Sequence, residues 1–542
     1  MQQSRRPKRH SRGPDLKVLI AEELSTEGVE KLRTEFEVDV LVGLSKDELL
    51  ASVADYSAII VRSATQIDAE VIERASALKV VGRAGVGVDN IDVDAATRKG
   101  VVVVNAPQSN VLSAAEHTMA LLLSLARNVP AADASTRAGK WERSKFTGVE
   151  LQGKTLGILG LGRVGTLVAQ RASAFGMRLV AYDPYISKSR AAQLGIEVAD
   201  GIEGVLREAD FLTVHLPKNP ETKGSIGAAQ MALMKPGVRI VNTSRGGLID
   251  EAALVDAYEK GIIAGVAVDV FDEEPPGPHP FFEIEDFIVT PHLGASTEEA
   301  QAKAGAAIAE QVMLALRGEF APFAVNVSGG TGYVEALRPY MSLTEKLGRI
   351  AAGLVGGGLS SVQFQYLGTV AEHEIKVLTL AGLKGLFAPV VHEPVTFVNA
   401  PLIAAERGIQ VIETKSPTSR DFVNLVQLTV EGERGPIVVA GTLVGKHDQE
   451  RIVRVFDYWF EMEPERYMCF LRYQDVPGVI GKVGTVLGEA DINIAGMQVS
   501  RENIGGEALM GLTVDSAIPP EVLGNITKAI GATDVHFIDL GA

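Results

Sequence analysis

Three polar side chains between residues 240 and 295 have the chemical types needed to move a proton beside a bound anion. His292 follows the apolar stretch 287–290 and precedes a flexible Leu-Gly-Ala-Ser segment, and it is the best placed of the nine histidines to act as a general base. Glu274, in the turn after an Asp-Val-Phe sequence, could hold the tautomer of that imidazole and stabilise its protonated form. Arg245, in Asn-Thr-Ser-Arg-Gly-Gly, can bind a carboxylate through two parallel N–H hydrogen bonds.

The stretch from Thr155 to Gly165 predicts a dinucleotide-binding turn. A short apolar strand enters a glycine loop, and the helical pattern of 166–175 follows directly. Gly160 would make the tight turn, Gly162 would let the backbone approach a pyrophosphate, and Gly165 would let the helix pack close to the strand. The pyrophosphate would then lie on the helix N-terminus, where free N–H groups and the helix dipole favour an anion.

Asp183 predicts which dinucleotide binds. It ends a second apolar strand, 178–182, and lies 18 residues beyond Gly165, where an acidic side chain accepts hydrogen bonds from an adenosine ribose. Its charge would also repel the extra phosphate of NADP. The pattern favours NAD, and a glycine-rich turn without a ligand is the alternative for the glycines alone.

These two patterns together suit hydride transfer. Moving a hydride from a hydroxyl-bearing carbon to NAD leaves a proton on oxygen, so a base with a pKa near neutrality is needed beside the cofactor. Each polar residue also has a structural alternative. Arg245 could form a surface ion pair, Glu274 could be a solvated turn residue, and His292 could cap a helix.

The surrounding elements predict an α/β fold. From Lys17 onward, apolar strand patterns alternate with helical ones, which is typical of parallel sheets. We expect two doubly wound, Rossmann-like domains: a substrate-binding domain at 16–111 and 296–328, and an NAD-binding domain at 112–295. The substrate would lie in the cleft between them.

Two long helices are predicted to connect these domains, at 113–127 and 296–316. His117 lies in the first helix. Because interior histidines are more often structural than catalytic, we expect it to be a packed or interfacial residue.

The pattern changes beyond Gly318. A linker is predicted at 328–332, a helix at 340–355, strands at 435–444 and 451–460, and a hairpin turn at 431–435. These elements indicate an α+β intervening domain at 329–465. From Tyr467 the order strand, helix, strand, strand, helix, strand predicts a ferredoxin-like domain at 466–542.

Composition limits the class of function. The net charge of −16 and the pI of about 5.2 argue against a nucleic-acid partner, which would need a basic surface. The single cysteine, Cys469, excludes an intrachain disulfide and suits a reducing cytoplasm. Residues 1–15 are basic and contain no apolar run, so a disordered arm is predicted there. A targeting arm is the alternative, but neither the apolar run of a secretory signal nor the apolar face of a transit helix is visible. The longest apolar stretch, 119–126, is too short to cross a membrane.

Several motifs together resemble one enzyme family. Asn-Xaa-Xaa-Arg-Gly at 242–246, the Asp-Val-Phe turn with Glu-Pro at 269–275, and Thr-Pro-His at 290–292 resemble the D-isomer-specific 2-hydroxyacid dehydrogenases. This resemblance runs from about Val18 to Val327. The ferredoxin-like unit is similar to the ACT domain that ends the D-3-phosphoglycerate dehydrogenases, and the segment before it is similar to the extra domain of their long form.

The resemblance implies a role for each matching residue. His292 would be the acid/base, Glu274 its partner and Arg245 the carboxylate binder, and no metal would be required. Asp269 would hydrogen-bond the nicotinamide carboxamide. The full set of implied cofactor-binding residues is Gly160, Gly162, Arg163, Val164, Gly165, Asp183, His215, Thr243, Ser244, Asp269 and Gly294.

The resemblance also implies a substrate site and an effector site. The implied substrate-binding residues are Arg62, Ser63, Gly85 and Val86, with Arg143 and Lys145 reaching in from a neighbouring subunit. An ordinary basic surface loop is the alternative for the last two. Tyr473, Asp475 and Asn493 match the positions that bind serine in related ACT domains; a Pro-Gly turn and a strand-entry asparagine are the alternative.

The implied function is the NAD-dependent oxidation of D-3-phosphoglycerate to 3-phosphohydroxypyruvate, the first step of phosphorylated serine biosynthesis. A cytoplasmic homotetramer or homodimer, regulated by serine through the ACT domain, is expected. One alternative is another D-2-hydroxyacid dehydrogenase, acting on hydroxypyruvate or glyoxylate. The other is a non-catalytic NAD-sensing protein, against which the intact set of Arg245, Glu274 and His292 argues, since a sensor needs no proton acceptor.

Overall fold

Strands and helices alternate along most of the chain and assemble into four sheets in the computed structural model. The described residues are 16–186, 188–327, 335–355, 358–391, 395–432 and 435–541. The basic arm at 1–15, the linker predicted at 328–332 and the centre of the hairpin turn predicted at 431–435 lie outside them.

The first sheet has five parallel strands in the order β2-β1-β3-β4-β5. Its elements are β1 (Lys17–Ile20), α1 (Thr26–Arg33), β2 (Glu37–Val40), α2 (Lys46–Ser52), β3 (Ala58–Val61), α3 (Ala69–Arg74), β4 (Val80–Arg83), α4 (Val93–Arg98) and β5 (Val102–Val104). Most of these strands are buried, as expected when helices cover both faces of a parallel sheet.

The second sheet has seven parallel strands in the order β12-β11-β10-β9-β6-β7-β8. Its elements are α5 (Val111–Arg127), α6 (Val129–Arg137), β6 (Thr155–Leu159), α7 (Arg163–Ala174), β7 (Arg178–Tyr182), α8 (Lys188–Gln193), β8 (Glu197–Val198), α9 (Ile202–Glu208), β9 (Phe211–Val214), α10 (Ala228–Met231), β10 (Val238–Asn242), α11 (Glu251–Glu259), β11 (Ile263–Val268) and β12 (Phe287–Val289). The strand order reverses between β6 and β9, and ligands of doubly wound sheets bind beyond the carboxyl ends of the strands at such a point.

Helix α12 (Glu298–Leu316) brings the chain back to the first sheet. Its Gly305 packs against Gly28 of α1 so closely that a Cβ on Gly28 would lie 2.6 Å from the Gly305 carbonyl oxygen. Two glycines at this crossing allow the backbones to meet. Within the described ranges, every helix is either too short or too polar to cross a lipid bilayer.

The third sheet is mixed, in the order β14-β13-β15-β16-β17-β18. Its elements are α13 (Arg338–Leu354), β13 (Leu359–Gly368), α14 (Lys376–Phe387), α15 (Ala400–Glu406), β14 (Gln410–Ser416), β15 (Asn424–Gly432), β16 (Gly435–Val444), β17 (Gln449–Val455) and β18 (Tyr458–Met462). The single strand predicted at 451–460 is wrong, because a tight turn at Phe456 and Asp457 divides it. Phe456 adopts φ 53° there without any glycine, asparagine or proline to signal a turn.

The fourth sheet is antiparallel, in the order β20-β21-β19-β22. Its elements are β19 (Tyr467–Gln474), α16 (Val479–Glu489), β20 (Ile494–Arg501), β21 (Glu507–Val514), α17 (Pro520–Ile530) and β22 (Asp534–Asp539). The predicted βαββαβ order and the α/β class of the whole chain are confirmed.

Candidate active site

A cleft between the first and second sheets forms a cavity of about 530 Å³. Residues from both sides line it, including Arg62, Ser63, Arg83, Gly85, Val86, Arg245, Glu274 and His292. The structure therefore brings together the three predicted catalytic residues and four of the predicted substrate residues. Each is at or just beyond the carboxyl end of a parallel strand, which is why residues far apart in sequence meet here.

His292 and Glu274 form the hydrogen-bonded pair that the sequence predicted. The Nδ1 atom of His292 lies 2.7 Å from Glu274 Oε2. The other carboxylate oxygen accepts a hydrogen bond of 3.0 Å from the Phe271 amide. An ionised carboxylate only accepts hydrogen bonds, so Nδ1 carries the hydrogen and Nε2 is left to exchange a proton with a ligand.

The Glu274 carboxyl group is held in its ionised form. Burial would raise its pKa, but the hydrogen bond to His292 and the Phe271 amide outweigh burial, and its pKa is lowered. A carboxylate in this position favours the protonated imidazole that forms when His292 accepts a proton.

Arg245 reaches the cleft from the loop after β10. Its Nη1 donates to the Ser244 carbonyl at 2.7 Å, and its Nε lies 3.5 Å from Asp89 Oδ2. Asn242 supports the loop by donating to the Arg245 carbonyl at 2.9 Å. Gly87 leaves space for the guanidinium, since a Cβ there would lie 2.4 Å from Arg245 Nη2.

The loop at 62–65 is held by two side chains that the sequence interpretation missed. The Glu22 carboxylate accepts hydrogen bonds from the amides of Arg62, Ala64 and Thr65. Asn90 donates to the carbonyls of Arg62 and Thr65. Because most of the loop amides are already occupied, the Arg62 guanidinium and Ser63 are the groups left to meet an anion.

Arg83 is a third cation at this cleft and was not predicted as a site residue. Burial, together with the nearby Arg245 and Arg62, lowers its pKa to about 10. Its Nε has no hydrogen-bond partner among the described residues. The side chain folds over Gly85, where a Cβ would lie 1.6 Å from Arg83 Nη1. The basic residue at the end of β4 was the available sequence signal.

The glycine loop fits a dinucleotide. A Cβ on Gly165 would lie 2.1 Å from the Gly160 carbonyl oxygen, so the close approach of helix to strand requires glycine. Gly162 caps α7 without any side-chain hydrogen bond, and the space where its Cβ would project is open. Free N–H groups beside open space at a helix N-terminus suit a pyrophosphate. Val164 lies in the first turn of α7, and Arg163 beside it is exposed.

Asp183 and His215 flank this loop. Asp183 accepts hydrogen bonds from the amides of Leu161 and Tyr185, each at 2.8 Å, so it shapes the loop as well as offering its carboxylate. The His215 Nε2 atom pairs with Thr213, whereas its buried Nδ1 has no partner among the described residues. Burial lowers the His215 pKa to about 4, so the ring is neutral at pH 7.

Asp269 organises the predicted nicotinamide pocket. It is fully buried at the end of β11. Its Oδ2 accepts from the Gly294 amide at 2.8 Å, and its Oδ1 accepts from the Thr290 hydroxyl and the Leu293 amide. Thr243 is buried nearby and the Ser244 hydroxyl donates to Asn242. Through these hydrogen bonds the Asp269 carboxylate fixes the position of the segment 290–294, which includes His292.

Lys145 lies outside this cleft in its own chain. Its Nζ pairs with Glu285 at 2.7 Å and lies over the Phe146 ring. Arg143 is exposed in the same loop. A role for either residue in a neighbouring subunit's cleft stays a prediction.

Asp475 and Asn493 lie at opposite ends of the fourth sheet. Asp475 follows Gln474, which pairs with Glu507, whereas Asn493 precedes Ile494, which pairs with Val514. With about 3.4 Å per residue along β19, the two residues are about 25 Å apart. One small ligand therefore cannot contact both within one chain.

Each predicted effector residue has an intrachain contact. Arg501 Nη1 lies 2.5 Å from Asp475 Oδ2, and this hydrogen bond lowers the Asp475 pKa. Asn493 donates to Asp515 at 2.7 Å. Tyr473 is buried in the domain core.

Family comparisons agree with the division of the chain into sheets. The model of the D-isomer specific 2-hydroxyacid dehydrogenase NAD binding domain matches residues 119–294. The D-3-phosphoglycerate dehydrogenase intervening domain matches 336–456, and the ACT domain matches 467–531.

Full-length relatives and solved structures agree with these matches. The chain is 48% identical over 525 residues to D-3-phosphoglycerate dehydrogenase from Mycobacterium tuberculosis, covering 96% of this chain and 99% of the relative. It is 45% identical over 526 residues to the Synechocystis enzyme of the same name, covering 97% and 95%. The crystal structure of the TT0316 protein from Thermus thermophilus aligns with a TM-score of 0.53 at 36% identity, covering 57% of this chain and all of that one. The chain therefore belongs to the D-3-phosphoglycerate dehydrogenase family, whose catalytic part is a D-isomer specific 2-hydroxyacid dehydrogenase with an NAD-binding domain.

Proposed function

We propose that this chain oxidises D-3-phosphoglycerate to 3-phosphohydroxypyruvate, with NAD as the acceptor. The observation that carries the proposal is the cleft in which the His292–Glu274 pair faces the cations Arg62, Arg83 and Arg245. A phosphorylated hydroxyacid has a reacting hydroxyl and two separate anionic groups. The cleft supplies one proton acceptor and several cations for such a molecule.

NAD, held by the glycine loop and the pocket around Asp269, would supply the nicotinamide C4 as acceptor for the hydride from C2 of the substrate. His292 Nε2 accepts the hydroxyl proton as the carbonyl forms, so the proton and the hydride leave the same C–OH unit. Glu274 orients the ring and stabilises its positive charge. Arg245 binds the carboxylate and polarises the neighbouring oxygen.

The phosphate is assigned to the other side of the cleft. Arg62 reaches it from a loop that Glu22 and Asn90 hold in place. Partial burial and the nearby Arg245 and Arg62 lower the pKa of Arg83, so a doubly charged anion bound beside it would stabilise its charged form. In this proposal the substrate-binding domain comprises residues 16–111 and 296–328, and the NAD-binding domain comprises residues 112–295. The intervening domain at 329–465 connects them to the ACT domain at 466–542, which regulates the activity.

The experiment is steady-state turnover with a panel of 2-hydroxy and 2-oxo acids. For the Arg62→Ala variant we expect activity on phosphoglycerate to fall about 100-fold in kcat/KM, since one charge-assisted contact to the phosphate is lost. Activity on glyoxylate or hydroxypyruvate should change little. Arg33→Ala is the matched control, because Arg33 forms an exposed ion pair with Glu30 on one helix.

Equal loss of activity on all acids would contradict the phosphate assignment and favour the runner-up, another D-2-hydroxyacid dehydrogenase. No formation of NADH with any acid would favour the sensing protein instead.

We also propose that serine binds between two ACT domains of a homodimer or homotetramer. The separation of Asp475 from Asn493 in one chain supports a site that takes one residue from each of two subunits. Asp475 would accept from the amino group and Asn493 would hold the carboxylate or hydroxyl. A cytoplasmic location goes with this proposal, as the single thiol of Cys469 suits a reducing compartment.

Subunit mixing tests this arrangement. Asp475→Asn and Asn493→Ala should each abolish inhibition by serine in homo-oligomers. Mixed oligomers of the two variants should regain part of the inhibition, because one of the two shared sites then has both native residues. If mixing restores nothing, while wild type is inhibited, the shared site is wrong.

A further inference from the structure

Helix α5 contacts the predicted nicotinamide pocket through two neighbouring side chains. His117 Nε2 lies 3.2 Å from Asp269 Oδ1 and 3.2 Å from Thr290 Oγ1. Thr118, fully buried, lies 2.7 Å from Thr243 through their hydroxyl oxygens. One face of this helix therefore meets both a carboxylate and a hydroxyl assigned to the cofactor site.

The contacts around His117 determine where its hydrogen lies. Asp269 Oδ1 can only accept a hydrogen bond, and the Thr290 hydroxyl uses its hydrogen for Asp269 at 2.6 Å. Both atoms that face His117 Nε2 are thus acceptors. Nε2 carries a hydrogen and donates it to them.

Asp269 depends on such donors because it has no contact with solvent. Its side chain is 0% exposed, whereas that of His117 is 19% exposed. Burial raises the Asp269 pKa, yet the hydrogen bonds from His117, Thr290 and Leu293 outweigh burial and lower it. A buried carboxylate that lost one of these donors would be less stable in its charged form.

Asp269 Oδ2 lies on the side of the carboxylate that Gly294 covers. A Cβ on Gly294 would lie 3.3 Å from Oδ2 and 3.9 Å from Ala114 Cβ of α5. Oδ2 accepts one hydrogen bond, from Gly294, among the described residues. A carboxylate oxygen can accept a second hydrogen bond, so Oδ2 keeps acceptor capacity for the amide N–H of a ligand bound beside it.

We propose that His117 is a positioning residue for cofactor binding, which holds the Asp269 carboxylate in the orientation that receives the nicotinamide carboxamide. The inference rests on the proposed role of Asp269 as the carboxamide acceptor. His117 touches neither substrate nor reacting atoms. Its effect is on the affinity for the nicotinamide end of NAD, transmitted through one carboxylate.

The experiment measures NADH dissociation constants and steady-state kinetics on the full-length enzyme. His117→Leu removes the donor and should weaken NADH binding by about 10- to 100-fold, the range for a hydrogen bond to a charged group. At saturating NAD, kcat should change less than about three-fold, since the proton acceptor is untouched.

Two polar variants keep the test decisive if the leucine variant does not fold. The amide nitrogen of His117→Gln can reach the Nε2 position and should keep NADH binding within about three-fold of wild type. His117→Asn is too short to do so and should behave like the leucine variant. Equal NADH affinities for the glutamine and asparagine variants would overturn the proposal.

His279→Leu is the matched control. His279 Nε2 lies 3.1 Å from Glu251 Oε2, and the His279 side chain is 16% exposed. The leucine variant therefore loses a similar histidine–carboxylate pair, but one outside the Asp269 cluster. We expect a lower free energy of unfolding with unchanged NADH affinity. If this control weakens NADH binding as much as His117→Leu does, the specific role of His117 is refuted.

A double-mutant cycle separates this inference from the role of Asp269. Asp269→Asn alone should weaken NADH binding, and adding His117→Leu should then cost little more, because the two residues act as one unit. Additive losses would refute the coupling while leaving Asp269 as the carboxamide acceptor. Unchanged NADH binding in Asp269→Asn would refute the acceptor role, and the inference with it.

Discussion

His292 Nδ1 lies 2.7 Å from Glu274 Oε2, although the two residues are 18 positions apart and follow different strands. The strands that precede them, β11 and β12, are parallel neighbours, so their carboxyl ends lie side by side. The His292 amide also donates to the Asp269 carbonyl at 2.9 Å, with the backbone at φ 53°. The pair is therefore fixed by sheet pairing and by backbone conformation together.

Replacing His292 with asparagine should lower kcat by about 10²- to 10⁴-fold, the usual contribution of general acid–base catalysis. NADH affinity should remain within about three-fold of wild type, because the pocket around Asp269 is unchanged. Stopped-flow or steady-state absorbance of NADH, with fluorescence titration for binding, measures both. His373→Asn in the intervening domain is the control. Turnover equal to wild type would exclude His292 as the proton acceptor.

Replacing Glu274 with glutamine should move the acidic limb of the pH profile for oxidation. Oxidation needs a neutral imidazole, so its rate falls at low pH where the ring is protonated. The Glu274 carboxylate lies 2.7 Å from His292 Nδ1 and favours the positively charged ring, so removing its charge should move the limb to lower pH. We expect kcat to fall as well, by about 10-fold, since the imidazolium is less stabilised.

Glu251→Gln is the matched control for this profile, since Glu251 also pairs with a histidine, His279. Its acidic limb should stay in place. A limb that shifts upward in Glu274→Gln would mean that the carboxylate does not favour the charged ring.

Two alanine substitutions in the glycine loop should have different effects. A Cβ on Gly165 would meet the Gly160 carbonyl at 2.1 Å, so Gly165→Ala should lower the melting temperature as well as NADH affinity. At Gly162 the Cβ meets open space and φ is −64°, so Gly162→Ala should fold normally and lose NADH affinity. Calorimetry and NADH titration separate the two. Normal NADH binding by Gly162→Ala would contradict the pyrophosphate assignment.

His215 should make the ligand-free enzyme less stable in acid. Its pKa is about 4 in the folded chain and 6.5 for an ordinary histidine, so the unfolded chain binds more protons between these values. Stability therefore falls as the pH falls from about 6.5 to 4, by at most about 3 kcal/mol for this residue. His215→Gln should flatten that part of the curve in urea unfolding at several pH values. An identical slope for variant and wild type would show that His215 is accessible to protons in the folded chain.

Much of the catalytic half could be predicted from local patterns. The glycines at 160–165 lie within one strand–turn–helix unit, so local steric rules are enough to predict the shape of the loop. The βαββαβ order from Tyr467 was equally readable, because alternating strands and amphipathic helices there are clear. The division of 451–460 was missed because the left-handed position of the turn is occupied by Phe456 and not by glycine or asparagine, the residues that usually mark it.

What the sequence by itself determined is the set of chemical groups and the short-range turns that carry them: the glycine loop, the Glu274 turn and the position of His292 after a strand. Only the tertiary structure decided which distant groups meet, since strand order and helix packing join residues that no local pattern relates. It brought Arg83 beside Arg62 and Arg245 and set Asp475 and Asn493 at opposite ends of one sheet. It also gave His117 a carboxylate partner 152 positions away, because α5 packs against β11 and β12, which directly precede Asp269 and Thr290.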